Sequence, residues 1–402
     1  MNNATVAAQR SVPFFRPSVG EAEKTAVLKV LEGGWLTTGK KTKEFEERFA
    51  ASVGAKYAVA LNSCTAALHL ALEAIGLAPG DQVLVPNMTF AATAEVVRYF
   101  GAKPVLVDCE AETLCLDPQQ AYSAARRAQA SGPLKAILPM HYGGQMADMD
   151  AMHALGAEFG IPVIEDAAHT LPAYRRDAAG EWRPVGHGSS AACFSFYANK
   201  CITTGEGGMA TTNDEALADR MRMMSLHGLS RSAWNRFESK GSWYYEIVAP
   251  GFKYNLTDVA GALGVAQLGR SEEFWQARRR IASLYREQLS EVAEIEVPAE
   301  REDCQSSWHL FSTRLHLDRL TIDRARFIEE MKEHGITCSV HWMPLHLHPY
   351  YRETYGFAPE EYPVANALWP RLVSLPIFPS MTDEEVEIVV SAVRTICAEN
   401  RA

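Results

Sequence analysis

The stretch Tyr57–Pro86, YAVALNSCTAALHLALEAIGLAPGDQVLVP, sets two short apolar runs, YAVALN and QVLVP, on either side of a segment with helical spacing, TAALHLALEAIG. Short apolar runs bounded by turn residues read as strands buried on both faces, and the segment between them reads as a crossover helix. The same rhythm continues outward. KPVLVD, KAILPMH and IPVIED follow at intervals, and MADMDAMHALGAEFG again has helical periodicity. Strand alternating with helix predicts a mostly parallel sheet covered on both faces. On the amino-terminal side, VGEAEKTAVLKVLEGG and KEFEERFAASVG read as amphipathic helices separated by the loop WLTTGK. On the carboxyl-terminal side the alternation fades near FKYNLTDVAGALGVAQL, and SEEFWQARRRIASLYREQLSEV reads as one long charged helix bridging two domains. From about residue 300, SSWHLFSTRLHL, RARFIEEMKEHG, ITCSVHW and TDEEVEIVVSAVRTICAEN give strand, helix, strand and helix, the makeup of a small α+β domain. The expected division is a large α/β domain over 12–268, then the linker helix and small domain over 269–402.

The chain has 402 residues, 47% hydrophobic and 22% charged, the profile of an ordinary globular protein. Its net charge of -10 argues against a nucleic-acid partner held by broad phosphate neutralisation, while leaving room for a local basic pocket. Eight scattered cysteines, with no CxxC pair, suit a reducing compartment and give no zinc spacing. MNNATVAAQRSVPFF lacks the basic start and apolar block of a secretory signal, and no run approaches membrane-spanning length. A cytoplasmic protein without membrane or metal is expected.

In an open α/β sheet, ligands sit at the carboxyl ends of the strands, so residues just after each apolar run are the ones to inspect. After YAVALN come Ser63 and Thr65, at a helix start where free N–H groups make a phosphate seat; taken alone, a plain N-cap explains them better. After IPVIE comes Asp166, which either caps the next segment or faces a cationic ring nitrogen. His169 is either a second contact or a satisfied interior histidine. Phe90, after VLVPNMT, is either core or a flat face for a planar cofactor. FSFYANK ends in Lys200, just before the glycine-rich CITTGEGGM, where backbone approaches a ligand closely. Partial burial beside another cation would lower its pKa and free the amine to form an imine. An imine-forming lysine, an aspartate for a pyridinium nitrogen, a stacking face and a phosphate seat together specify pyridoxal phosphate.

These residues lie in segments that resemble the DegT/StrS group of pyridoxal-phosphate-dependent nucleotide-sugar aminotransferases. The similarity runs from PFFRPSVGEAEKTAVLKVLEGGWLTTG through NSCTAALHLAL, VPNMTFAATAEVV, EDAAH, SFYANKCITTGEGGM and FKYNLTD to HWMPLHLHPYY. GWLTTG, FKYNLTD and WHLF look like enzymes that aminate a UDP-4-keto-pentose for lipid A modification; the lysine segment looks more like perosamine-synthase-type relatives. The resemblance implies the aspartate-aminotransferase fold, with a seven-stranded, mostly parallel sheet. It implies that Lys200 binds the cofactor covalently, Asp166 pairs with the ring nitrogen, Phe90 stacks on the ring and His169 lies beside the ring hydroxyl. Thr65 and Ala66, through their amides, and Ser195 are expected to hold the phosphate. It further implies a homodimer in which Asn255 of the KYN loop reaches the neighbouring subunit's cofactor phosphate. Without the resemblance, Asn255 or Thr257 reads as a helix cap. His341 and His346 are expected near the nucleotide-sugar entrance, Thr37, Thr38 and Glu206 near the sugar, and Arg231 or Lys253 near the diphosphate.

The implied reaction is amino transfer from L-glutamate to a keto sugar carried on UDP, GDP or dTDP, most simply a 4-keto sugar, passing through the pyridoxamine form and releasing 2-oxoglutarate. A 3-keto specificity is the near alternative. A pyridoxamine-dependent deoxysugar dehydratase would carry histidine where this chain has Lys200. A non-catalytic cofactor-binding regulator would have no need for an imine-forming amine.

Overall fold

The computed structural model describes residues 11–229 and 245–402. Tyr57–Leu61 (β1), Gln82–Pro86 (β2), Lys103–Val107 (β3), Leu134–Ile137 (β4), Ile164–Asp166 (β5), Ala191–Ser195 (β6) and Gly208–Thr212 (β7) build the main sheet. Ladders give β1-β7-β6-β5 on one side and β3-β2-β4 on the other. Parallel bridges Ile137 to Val163 and Met140 to Asp166 join β4 to β5. The order is therefore β1-β7-β6-β5-β4-β2-β3, seven strands as expected. Only β7 runs against its neighbours. Because six strands share a direction, the chain ends of β1, β2, β4, β5 and β6 lie on one edge, and β7 begins there.

Helices Glu21–Gly33 (α1), Lys40–Val53 (α2), Cys64–Ala74 (α3) and Ala92–Arg98 (α4) pack around this sheet together with Pro118–Ser131, Met149–Phe159, Glu215–Met224 and Asp258–Leu268. The α2 N-cap is Gly39, which has no side chain to accept from the first N–H groups. Buried Asp258 supplies the missing acceptor from another helix. Its Oδ1 accepts from Gly39 N–H (2.7 Å), Thr42 N–H (2.9 Å) and the Thr42 hydroxyl (2.8 Å), and its Oδ2 accepts from Lys41 N–H (3.1 Å). The WLTTG loop is thereby tied to the KYNLTD segment.

A second, antiparallel sheet consists of Ile295–Glu296 (β8), Phe311–Leu315 (β9) and Leu372–Leu375 (β10), in that order, with helices Arg324–Glu333 and Asp383–Glu399 beside it. There are two apolar cores. The linker helix Ser271–Leu289 places Phe274 in the larger and Ile281, Ala282, Tyr285 and Leu289 in the smaller. Two excursions cross between them: Val12 joins the smaller core and bridges to Ile336, while Leu345, Tyr351, Ala365 and Leu368 join the larger. We propose position 268/269 as the point where the chain path turns from the first core toward the second.

Two expected strands differ. ITCSVHW forms only isolated bridges, from Ile336 to Val12 and from Ser339 to Ser374, because it pairs with two different segments rather than one. SSWHLFSTRLHL becomes a strand only at Phe311, since Trp308 takes a φ of 50°, outside the extended region. Asp258→Ala would remove the acceptor of four hydrogen bonds, three of them from main-chain N–H groups. We expect a loss of about 3 kcal/mol, within the range for breaking charge-assisted buried bonds, measured as a lowered urea midpoint against wild type.

Candidate active site

At the end of β5, Asp166 is buried. Its Oδ2 accepts from the Thr93 hydroxyl at 2.7 Å and its Oδ1 from Ala168 N–H at 3.1 Å. Thr93 lies in the first turn of α4 and shares a 2.7 Å hydroxyl contact with Thr89. Burial pushes the Asp166 carboxyl above its ordinary 3.8, against the opposing pull of the Thr93 bond, the Ala168 bond and the charge of Lys200. No cation pairs directly with it among the described residues.

Lys200 follows the end of β6, the strand beside β5. It is half-buried by area, and its amine forms no hydrogen bond or ion pair among the described residues. Burial lowers its pKa from 10.5 to about 8, while Asp166, Cys64 and Cys201 oppose that shift. The cause differs in part from the one expected: desolvation does the lowering, with no neighbouring cation contributing. The glycines after it serve the same edge. A Cβ on Gly208 would lie 2.3 Å from the Ser63 carbonyl, so β7 passes under the start of α3 only without a side chain there.

Ser63 caps α3, its hydroxyl accepting from Ala66 N–H at 3.0 Å. The Ala66 amide is thus engaged by the cap, and the N–H groups of Cys64 and Thr65 are left without intrahelical acceptors. Ser195 is half-buried, and its hydroxyl accepts from Tyr197 N–H at 3.4 Å. Phe90 is 58% exposed, with its ring 6.3 Å from that of Trp342, so it is a free face and not core. His169 is buried, and its Nδ1 accepts from Gly143 N–H at 3.2 Å, which leaves the proton on Nε2. Its ring lies 5.0 Å from Trp342 and 4.3 Å from His309. Burial, then the charge of Lys200, holds His169 and His309 well below 6.5 and brings His341 to about 3. All three imidazoles are neutral at physiological pH.

Thr38, Lys253 and Asn255 come together. The Asn255 amide donates to the Thr38 hydroxyl at 2.7 Å and accepts from the Lys253 amine, and Thr38 donates to Leu256 O. Thr37 enters through its carbonyl, which accepts from Asp258 N–H at 3.1 Å. This cluster adjoins Asn62, whose N–H donates to Tyr254 O at 2.7 Å, one residue before the α3 cap. The cap of Asp258–Leu268 is Thr257, accepting from Ala260 N–H at 3.2 Å, so Asn255 is free of that task. Glu206 is exposed on the turn leading into β7. Arg231 lies outside the described residues.

His341 is brought close enough to Lys200 to feel its charge, and is stacked on Phe14 at 5.5 Å with Nδ1 2.8 Å from the Ser374 hydroxyl. His346 is not. It has no exposed surface, and its ring nitrogens contact Asn87 and Asn366 at 2.9–3.0 Å, so it fixes the segment after β2 and has no face left for a substrate. Thr93, Thr89, His309 and Trp342 were missed as site residues. Thr93 stands three residues after Phe90 in FAATAEVV, a spacing that puts it one helical turn on, which is the signal that was available.

A pyridine nucleus with a cationic N–H fits this donor set: a buried carboxylate lacking a cation, a lysine amine lacking a partner, an open aromatic face and a helix start with free amides. The model for the DegT/DnrJ/EryC1/StrS aminotransferase family matches residues 17–394. The spore coat polysaccharide biosynthesis protein SpsC of Bacillus subtilis is 42% identical over 387 residues, 96% of this chain and 97% of SpsC. Spr1654 of Streptococcus pneumoniae, provisionally described as a sugar aminotransferase and solved in PLP and PMP forms, superposes with a TM-score of 0.87 at 32% identity, covering 97% of this chain and 98–99% of the other. Helicobacter pylori PseC, an aminotransferase involved in the biosynthesis of pseudoaminic acid, gives 0.86 at 25% identity over 97% and 100% of the two chains.

Two measurements test this geometry. Competitive acylation of the cofactor-free protein should titrate Lys200 near pH 8. An ordinary midpoint above 10 would remove the buried-amine argument. Since the unfolded chain keeps that proton to about 10.5 and the folded one only to about 8, this group makes the cofactor-free protein relatively more stable as pH rises between those values. Thr93→Val keeps the shape but deletes the donor to Asp166. Turnover should fall roughly 10- to 100-fold with unchanged circular dichroism, and wild-type rates in the variant would show that the bond is dispensable.

Proposed function

This chain belongs to the DegT/DnrJ/EryC1/StrS aminotransferase family, and we propose that it is a sugar aminotransferase that moves the amino group of L-glutamate to the keto group of a nucleotide-linked sugar, a 4-keto sugar on UDP, GDP or dTDP. Pyridoxal phosphate is its cofactor. The observation that carries the reading is the placement of Asp166 and Lys200 at the ends of adjacent parallel strands, both desolvated and not paired with each other.

When bound, pyridoxal phosphate supplies an aldehyde carbon that exchanges amines and a protonated ring that accepts an electron pair. Asp166, oriented by Thr93 and Ala168, would hold the proton on the ring nitrogen. Lys200 tethers the cofactor. Its amine, with a pKa near 8, would be suited to take up the proton that leaves the α-carbon of L-glutamate. Phe90 would cover one face of the ring, and His169 would offer its Nε2–H to the ring hydroxyl. Thr65, through its amide and hydroxyl, and Ser195 would seat the phosphate at the positive end of α3, whereas Ala66, expected to join through its amide, has that N–H engaged by Ser63. The same lysine serves the sugar half of the reaction in reverse.

For the second substrate we assign the sugar to Thr37, Thr38 and Glu206, the diphosphate to Lys253 and Arg231, and the mouth of the cleft to His341. For Thr38 and Lys253 the support is their clustering with Asn255 beside α3. In the proposed homodimer, Asn255 completes the phosphate seat of the neighbouring subunit.

Lys200→Ala should lower multiple-turnover activity at least about a thousandfold and abolish the visible absorbance of the lysine-bound cofactor; full turnover in that variant would end the assignment. Specificity is read from a panel of UDP-, GDP- and dTDP-linked 3-keto and 4-keto sugars with glutamate, scoring 2-oxoglutarate and product mass. Mixing Asn255→Ala with Lys200→Ala subunits should restore part of the activity in heterodimers. No recovery after verified subunit exchange would refute the shared site.

A further inference from the structure

Behind the Lys200 turn lies a small cavity lined by Arg16, Ser18, Asn199, Lys200, Gln267 and Arg278, with Phe274 and Phe378 closing its apolar side. Arg278 is 3% exposed. One arm of its guanidinium, Nη1, donates to Ile377 O at 2.8 Å and points at Trp308 O at 3.5 Å, holding the linker helix to the smaller sheet's approach. Among the described residues its Nε–H, however, is buried with no acceptor, the Ser18 hydroxyl is buried with no partner, and the Asn199 side-chain oxygen is buried with no donor. Among the described residues no carboxylate lines the cavity, while three residues of its wall are cationic in type. Arg16 has a separate partner in Glu385 at 3.0 Å; Arg278 has none among the described residues.

Carbonyl oxygens satisfy hydrogen bonds but do not neutralise a charge. An arginine withdrawn from water without a counter-ion is costly, and guanidinium does not escape the cost by losing its proton under ordinary conditions. Size selects the counter-ion. The cavity is narrow, on the scale of a single water or monatomic ion.

We propose that this cavity is a halide site beside the Lys200 turn, taking chloride against Arg278 Nε–H and the Ser18 hydroxyl. The ion supplies the negative charge that the wall lacks, and it fastens four parts of the chain: the segment 15–18, the Lys200 turn, the linker helix and residues 378–379.

Crystals of the holoenzyme soaked in bromide should give an anomalous peak within hydrogen-bond reach of Arg278 Nε. In solution, replacing gluconate by chloride or bromide at constant ionic strength should raise the melting temperature by about 1–3 °C and saturate. Asn199→Leu, which fills the cavity and leaves Arg278 in place, should abolish both signals; Ser18→Ala should weaken them. A water in place of the anomalous peak, or a melting temperature indifferent to the choice of anion, would overturn the proposal and leave a water-filled cavity only.

Discussion

The whole site turns on two opposite charges that are desolvated near one another and kept from pairing. Asp166 and Lys200 stand on adjoining strand ends, each feels the other's charge, and no ion pair joins them. Had they paired, the aspartate would have been satisfied, the lysine held protonated, and neither would have had chemistry left to offer. The structure prevents this by giving Asp166 other donors. Thr93 and Ala168 fix the carboxylate and oppose the upward push of burial, so it is oriented without needing the amine. Burial then works on Lys200 in the direction catalysis requires, toward a neutral nitrogen.

The imidazoles around the lysine follow the same logic. His169, His309 and His341 are held neutral chiefly by burial, and the charge of Lys200 pushes each of them further the same way. Hydrogen bonding completes the assignment at His169: because Gly143 donates to Nδ1, the remaining proton is on Nε2. A main-chain turn near the end of β4 thus decides which ring nitrogen is the donor. The pair His141 and Glu165, 2.8 Å apart and without exposure, ties the same turn to β5 from behind the site.

Much of this was legible in the sequence because it is written in local order. Apolar run, turn, helix start is a one-dimensional pattern, and reading the residue after each run located Ser63, Phe90, Asp166 and Lys200. What escaped was non-local or directional. Asp258 lies 219 residues from Gly39, so no spacing announces that it caps α2. His346 sits in the same histidine-rich segment as His341, yet His341 is close enough to Lys200 to feel its charge and His346 is spent between Asn87 and Asn366. Composition cannot separate them, because the difference is which side of the segment meets the core. ITCSVHW has strand-forming residues but is shared between Val12 and Ser374, and propensity does not report how many partners a segment will have.

The glycine cluster after Lys200 shows how the scaffold and the site constrain each other. β7 begins on the edge where the other strands end, and at Gly208 it passes beneath the first turn of α3 closely enough that a methyl group would meet the Ser63 backbone. That contact holds the start of α3, with its unused N–H groups, beside the strand that delivers Ser195 and then the lysine turn. One missing side chain therefore sets the separation between the helix terminus that favours an anion and the desolvated amine of Lys200. A substituent at Gly208 would move the two apart together with β7, so the seat and the tether cannot be adjusted independently, and the short loop from Lys200 to Gly208 is bound to the site by packing as much as by chemistry.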